Sequence, residues 1–71
     1  MRVSYHAGER FLQRVLKFKN YTKMQILDAM KWIEKDISNI DYRDANFALP
    51  SFPSHRCIVV NHTLVTIVPK R

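Results

Sequence analysis

The chain has 71 residues, a formal net charge of +6 and a single cysteine, Cys57. This length predicts one small domain over residues 1–71, and an apolar fraction of 46% argues against disorder. One cysteine excludes an intrachain disulfide and indicates a reducing compartment; with three scattered histidines it also excludes a cysteine-rich metal site. No apolar run approaches the roughly 20 residues that span a bilayer. We therefore expect a cytoplasmic protein that uses no metal, cofactor or membrane.

The charge is unevenly distributed along the chain. Residues 1–23 hold six basic residues and one acid, residues 24–44 hold three basic residues and five acids, and residues 45–71 hold three basic residues and no acid. A basic surface built from the two ends of the chain favours nucleic acid or anionic lipid as a partner. Lipid is the weaker alternative because the first predicted helix is short and lacks tryptophan.

The N-terminal segment predicts a short extended stretch followed by a helix. Residues 2–5 are extended in character, and Ser4 is a candidate N-cap. The helix is expected to run from about His6 to Phe18, with apolar side chains opposite its basic ones.

A second helix is predicted after a connection at residues 19–21. Thr22 is its candidate N-cap, and Gln25 three residues later fits a capping box. The helix is expected to cover residue 23 to about residue 38. Its apolar residues recur on one face with helical period: Ile26, Leu27, Met30, Ile33 and Ile37.

The rest of the chain predicts strands. Residues 46–49 form a short candidate strand, and residues 50–54, which hold two prolines, predict a stiff loop. Residues 55–60 and 63–68 read as two strands because they are rich in branched side chains. The dipeptide Asn61-His62 between them predicts a two-residue hairpin turn, since both residues tolerate left-handed backbone.

This order of elements predicts a small α+β domain. Two N-terminal helices are expected to pack on one face of an antiparallel sheet of two to four strands. The other face and one strand edge would stay open. That edge is expected to pair with the N-terminal residues or with a second subunit, which would give a homodimer.

The first predicted helix carries a row of side chains suited to a polyanion. His6, Arg10 and Arg14 recur at four-residue intervals, which places them on one helical face. Histidine can transfer protons near neutral pH, and arginine can bind phosphate in bidentate fashion.

The motif Tyr-His-Ala-x-x-Arg-Phe-x-x-Arg-Val at residues 5–15, with Leu-Val-Thr-Ile-Val at residues 64–68, resembles small phage and plasmid domains. These are affiliated with the RelE/ParE-like toxins, whose fold is related to that of barnase-type ribonucleases. The resemblance implies helices on one sheet face and basic and polar residues that engage RNA. RelE-like members cleave messenger RNA at the ribosome, whereas ParE-like members inhibit a topoisomerase. This chain is shorter than typical RelE-like members and lacks their C-terminal Arg and Tyr segment, which leaves the inhibitor alternative open.

Metal-independent RNA cleavage needs a base, a proton donor and positive charge at the phosphate. His6 is a candidate base or acid, and two arginines of the first helix would clamp the phosphate. A second half-site would come from the start of the strand at residues 55–60, and a threonine of the last strand would bind a phosphate oxygen. The candidate catalytic residues are His6, Arg10, Arg14, His55, Arg56 and Thr66. The candidate nucleic-acid contacts are Arg2, Lys17, Lys19, Lys70 and Arg71.

Each candidate also has a structural interpretation. Arg10 and Arg14 can solvate the outer face or pair with acids, and His55 is most often a strand-end residue of no function. Cys57 is expected in the core. The aromatic residues Trp32, Phe47 and Phe52 are expected either to complete the core or to contact a partner.

Three functions compete. The first is an RNA-directed toxin or endoribonuclease that acts on RNA or the ribosome and has an antitoxin partner. The second is a non-catalytic, phage-type inhibitor that docks on a host protein. The third is a plain nucleic-acid-binding module, whose affinity would fall steeply with salt.

Overall fold

Two helices cover one face of a four-stranded mixed sheet in the computed structural model, which describes residues 1–70. In chain order the elements are β1 (Arg2–Val3), α1 (Tyr5–Arg10), a π-helical segment (Phe11–Val15), α2 (Lys23–Asp36), β2 (Ala45–Leu49), β3 (Phe52–Val60) and β4 (Thr63–Pro69). We call α1 and the π-helical segment together the first helix. This arrangement confirms the predicted α+β class, with the helices N-terminal to the main strands.

The sheet has the strand order β1-β4-β3-β2. β3 pairs antiparallel with both β2 and β4, as predicted, whereas β1 pairs in parallel with β4. The parallel pair is short, with Arg2 opposite Thr63 and Val3 opposite Leu64. The N-terminal residues therefore cover part of the edge of β4, which is one of the two partners that the sequence predicts for it.

The hairpin between β3 and β4 has the predicted two-residue turn. Asn61 and His62 have φ angles of 51° and 62°, the left-handed backbone that a type I′ turn requires at both positions. The segment before β2 holds this turn in place. The amide of Asn61 donates to Asp44 Oδ1 at 3.1 Å, and the amide of His62 donates to the carbonyl of Arg43 at 2.8 Å.

The loop predicted over residues 50–54 is wrong for its second half, because β3 already begins at Phe52. The pairing of β2 and β3 shifts register between Ala48 and Leu49, so residues 53–55 have no partner on β2. Pro53 fits such an irregularity because its missing N–H costs no ladder hydrogen bond. The remaining turn is fixed from α2, since Asp36 accepts hydrogen bonds from the Ser51 amide (3.1 Å) and hydroxyl (2.6 Å).

The first helix begins as predicted and ends three residues early. Ser4 is its N-cap, accepting a hydrogen bond from the Ala7 amide at 3.0 Å. From Phe11 the helix widens to π-helical geometry, and it stops at Val15 instead of Phe18. Lys17 then adopts a left-handed φ of 61°, which no helix can continue through.

The second helix matches its prediction closely. Thr22 and Gln25 form the capping box, with both reciprocal hydrogen bonds present at 2.8 and 3.2 Å. Ile26, Ile33 and Ile37 of the predicted apolar face are buried. They pack against the first helix and one sheet face, and the buried side chains of that core include Phe11, Leu12, Leu49, Cys57, Val59, Leu64 and Ile67.

Gly8 marks the closest approach of α1 to α2. A Cβ atom at this position would lie 2.6 Å from Met30 Cγ, 2.9 Å from the Ile26 carbonyl oxygen and 3.3 Å from Ile26 Cγ2. The carbonyl belongs to the helix backbone and cannot move aside as a flexible side chain can. The distance between the two helices therefore requires glycine here.

We predict that Gly8→Ala lowers the free energy of unfolding by about 1–3 kcal/mol, because overpacking outweighs the better helix propensity of alanine. Urea denaturation measures the change, and Glu34→Ala on the exposed side of α2 is the control, expected to shift stability by less than about 0.5 kcal/mol. A Gly8→Ala protein as stable as the wild type would contradict the close packing of these helices.

Candidate functional site

The structure brings His6 and Arg10 into contact on the outer side of α1. Arg10 Nε donates to His6 Nε2 at 3.2 Å, and Arg10 Nη1 donates to Gln13 Oε1 at 2.6 Å. The spacings of four and three residues account for both contacts, since such residues are neighbours on a helix. His6 is exposed and Arg10 is partly buried. Because Arg10 is the donor, His6 Nε2 is unprotonated and its ring proton sits on Nδ1.

This pair continues into a chain of polar contacts. Gln13 Nε2 donates to the Tyr21 hydroxyl oxygen, and the Tyr21 hydroxyl donates to Glu9 Oε2 at 3.0 Å. We call His6, Glu9, Arg10, Gln13 and Tyr21 the His6 network. Partial burial, and next the hydrogen bond to Glu9, raise the pKa of Tyr21 above its ordinary value of 10.0. The phenol therefore keeps its proton at neutral pH and anchors the network on its far side.

The candidate residues inferred from the sequence did not include Glu9, Gln13 or Tyr21. Glu9 and Gln13 are four residues apart, so helical spacing was a usable signal for them. Tyr21 lies beyond the end of the first helix and reaches back only because the chain turns at Lys17. No local sequence pattern reports that return.

Arg14 does not join His6 and Arg10. Its Nη1 donates to the backbone carbonyl of Ile67 on β4 at 2.7 Å. Arg14 lies in the π-helical segment, beyond the α-helical turn that joins His6 to Arg10, and its side chain reaches β4 instead of the predicted row. There it performs a structural task. β1 pairs only with the start of β4, and beyond it the Val65 and Ile67 carbonyls accept hydrogen bonds from Ser4 and Arg14.

His55 lies near Arg14 but binds its backbone. His55 Nε2 donates to the Arg14 carbonyl at 3.1 Å, and the Ser54 hydroxyl is 3.0 Å from His55 Nδ1. A carbonyl only accepts, so the ring proton is on Nε2 and Ser54 donates to Nδ1. The Arg14 carbonyl lies at a helix end, where no intrahelical donor is available. His55 therefore ties β3 to the first helix, with both ring nitrogens engaged.

Arg56 and Thr66 lie on the open face of the sheet. Along each strand they alternate with Cys57 and Ile67, which are fully buried beneath the helices. Successive strand side chains point to opposite faces, so Arg56 and Thr66 point away from the first helix. Arg56 is also held locally, because its Nε donates to Asn46 Oδ1 and its Nη2 donates to the Asn46 carbonyl at 3.0 Å. The structure therefore does not assemble the two predicted half-sites around one phosphate.

The other predicted nucleic-acid contacts are exposed. Arg2 lies on β1, Lys17 and Lys19 follow the first helix, and Lys70 follows β4. Arg71 lies outside the described residues. Within residues 1–70 the ion pairs are Arg43 with Asp44 (3.7 Å) and His62 with Asp41 (3.4 Å), so these four basic side chains have none.

Cys57 is a core residue, as predicted. It is fully buried, and burial raises the pKa of its thiol to about 12. The thiol stays protonated at neutral pH and is therefore no nucleophile. Within residues 1–70, no three His, Cys, Asp or Glu side chains cluster in a way that could hold a metal ion. The helices of that same stretch include none with the length and apolar character needed to cross a bilayer.

The predicted partner-contact aromatics divide into two groups. Trp32 and Phe52 stack around the buried Phe11, with ring centroids 5.1 Å apart for Phe11 and Trp32 and 5.8 Å apart for Phe11 and Phe52. Phe47 instead packs against Tyr42, with centroids 5.7 Å apart. Trp32 still exposes 40% of its surface. The first group therefore both completes the core and forms part of the surface.

Comparison of the chain with protein-family models, with curated proteins and with solved structures found no match. The resemblance to RelE/ParE-like toxins stays a prediction. The site is therefore interpreted from its own geometry. Among the described residues, the predicted catalytic side chains that hydrogen-bond to each other are His6 and Arg10.

We predict that His55→Ala lowers the free energy of unfolding by about 1–2 kcal/mol, because it leaves the Arg14 carbonyl without its donor. Urea denaturation gives the stability, and fluorescence anisotropy with a labelled RNA gives the affinity, which is expected to stay unchanged. Glu34→Ala, on the exposed side of α2, is the control for a surface substitution and is expected to leave the stability nearly unchanged. A stable His55→Ala protein with weakened RNA binding would assign His55 to the binding surface instead.

Proposed function

We propose that the protein is an RNA-directed, toxin-like protein of the cytoplasm that binds the phosphodiester backbone at the His6 network and cleaves it without a metal. The observation that carries the proposal is the 3.2 Å contact between Arg10 Nε and His6 Nε2 on an exposed helix face. It joins a group that can accept a proton to a permanent positive charge that binds phosphate.

The hydrogen bond also couples substrate binding to catalysis. In the free protein Arg10 occupies the Nε2 lone pair of His6. A phosphate is a stronger acceptor for guanidinium because the resulting hydrogen bonds are charge-assisted and bidentate. When Arg10 turns to the phosphate, His6 Nε2 becomes free to accept a proton.

The reaction then follows from these two groups. His6 Nε2 takes the proton of the RNA 2′-hydroxyl, and the 2′-oxygen forms a bond to phosphorus. The bond from phosphorus to the 5′-oxygen breaks, and that oxygen takes a proton from water. The hydroxide that this leaves takes the proton from the His6 imidazolium, which restores the neutral ring. Arg10 stabilises the charge that develops on the phosphoryl oxygens. The products are a 2′,3′-cyclic phosphate and a free 5′-hydroxyl.

Nearby basic groups support an anionic substrate. Lys17 and Lys19 are exposed, follow the helix that carries the network, and have no ion pair within residues 1–70. Such charges raise the association rate with a polyanion and make affinity fall with salt. The sequence resemblance to RelE-like toxins agrees with RNA as the substrate and with ribosome-bound messenger RNA as one form of it.

A second candidate function is a non-catalytic protein that binds the same class of polyanion, or a host protein, at this surface. The observation that favours it is that, within residues 1–70, the hydrogen-bond partner of the His6 side chain is Arg10, which is too weak an acid to protonate the leaving oxygen. A base without a paired acid gives slow cleavage at best. Binding would then be the whole activity.

We predict that His6→Ala reduces RNA cleavage in the presence of EDTA by about 100-fold or more while changing RNA affinity little, because it removes the base alone. Arg10→Ala is expected to lower both cleavage and affinity. Cleavage is measured on free and ribosome-bound RNA, and affinity is measured by fluorescence anisotropy.

The matched control is Arg56→Ala, which removes the same charge from the opposite sheet face and is expected to change neither quantity. Binding without cleavage by the wild-type protein, lost in Arg10→Ala, would support the second candidate. If the wild-type protein neither binds nor cuts RNA at high concentration, the RNA proposal fails.

A further inference from the structure

An apolar pocket of about 380 Å³ lies between the end of the first helix, α2 and the start of β3. Its lining includes Phe11, Leu16, Phe18, Trp32 and Phe52, with Asp28 as the one ionisable residue. Neither His6 nor Arg10 belongs to it, so this surface is separate from the His6 network. A concave apolar surface of this size is typical of a binding site.

The rim of this pocket exposes large apolar side chains. Leu16, Phe18 and Trp32 keep 40%, 39% and 40% of their surface accessible. Single exposed apolar residues are common, but three around one pocket form a contiguous patch. Burial of such a patch is favourable by about 25 cal/mol for each Å² removed from water. The patch is therefore expected to be covered in solution.

The backbone holds the protruding part of this rim in place. Lys17 has a left-handed φ of 61°, and the Phe18 amide donates to the Leu12 carbonyl at 2.9 Å. Leu16 and Phe18 consequently stand on a fixed turn instead of a freely moving loop. Fixed side chains lose less conformational entropy when they are buried against a partner.

The charges around the pocket have opposite signs at its two sides. Lys17 and Lys19 are the chain neighbours of Phe18, which lines the pocket at the end of the first helix, and Asp28 lines it from α2. None of the three has an ion-pair partner within residues 1–70. A surface with a cationic side, an apolar centre and an anionic side is complementary to its own copy rotated by 180°, as a twofold interface requires.

We propose that the protein forms a symmetric homodimer through this surface. Leu16 and Phe18 of each copy fill the pocket of the other, and Lys17 and Lys19 face Asp28 across the interface. A second copy is the occupant that these charges favour, because the protein carries both halves of the charge pair beside the pocket. This interface differs from the sheet-edge dimer that the sequence suggested, since the exposed edge of β2 takes no part in it.

Sedimentation equilibrium from micromolar to millimolar protein tests the proposal on the full chain. The wild-type protein is expected to dimerise, and Phe18→Glu is expected to weaken the dimer by at least about tenfold, because a charge enters the apolar centre. Val60→Glu is the control, since Val60 is 51% exposed at the far end of β3 and does not line the pocket. Circular dichroism verifies that each variant is folded.

A charge exchange keeps the test decisive if Phe18→Glu fails to fold. Asp28→Lys alone and the double variant Lys17→Glu/Lys19→Glu alone are each expected to dimerise less than the wild type, because like charges then face each other. Mixing the two proteins is expected to restore a heterodimer, in which both sets of charges are again opposite.

Monomeric wild-type protein at millimolar concentration would overturn the proposal and leave the pocket to another ligand. The proposal would also be overturned if Phe18→Glu left the dimer unchanged, or if mixing the two charge variants gave no heterodimer. Either result would place the interface elsewhere. The RNA assays do not decide this question, since neither His6 nor Arg10 lines the pocket. Lys17 and Lys19 belong to both surfaces, so the dimer is judged by sedimentation alone.

Discussion

The structure depends on how the first helix is fixed between α2 and β4. On one side Gly8 allows α2 to approach so closely that a Cβ atom would meet the Ile26 carbonyl at 2.9 Å. On the other side β1 pairs with only two residues of β4, and hydrogen bonds from Ser4 and Arg14 satisfy the next carbonyls of that edge. A strand edge that would otherwise be open is thereby covered by side chains of the first helix and its cap. This attachment sets the direction in which the helix presents its outer face.

The candidate site follows from that attachment. Because Arg14 binds the sheet, it is lost to the predicted row of three, and the exposed pair that remains is His6 with Arg10. Gln13 accepts a hydrogen bond from Arg10 and donates one to Tyr21, which in turn donates to Glu9. Arg10 is therefore anchored to the helix through Gln13. In the proposed reaction the contact with His6 is exchanged for the phosphate while Gln13 still anchors the guanidinium, and an anchored guanidinium binds an oxyanion with less loss of entropy than a free one. The same helix thus has a structural arginine, Arg14, and four residues before it the arginine that we propose binds phosphate.

Local sequence patterns predicted the parts of this fold that local interactions determine. The caps Ser4 and Thr22, the α2 apolar face and the turn at Asn61 and His62 all depend on residues within a few positions of one another. The misses have non-local causes. The parallel β1 and the early start of β3 depend on which strands pair in the sheet.

The sequence likewise predicted the part of the candidate site that depends on neighbouring residues of one helix, and missed the parts that depend on tertiary contacts. Helical spacing was sufficient to bring His6 to Arg10, because both lie on α1. It failed for Arg14, whose guanidinium binds the Ile67 carbonyl of β4, and the alternation along β3 and β4 placed Arg56 and Thr66 on the other sheet face. Tyr21 was missed because it meets Gln13 only through the tertiary fold.

The central claim is that His6 and Arg10 form the surface that receives a phosphodiester backbone. An NMR titration tests it most directly, with signals of the His rings and Arg Nε–H groups followed while an RNA carrying uncleavable 2′-O-methyl groups is added. The account predicts that the His6 and Arg10 signals shift together and saturate, while those of His55 and Arg56 stay in place. Shifts confined to Arg56 and the open sheet face, or no shift at all, would contradict it.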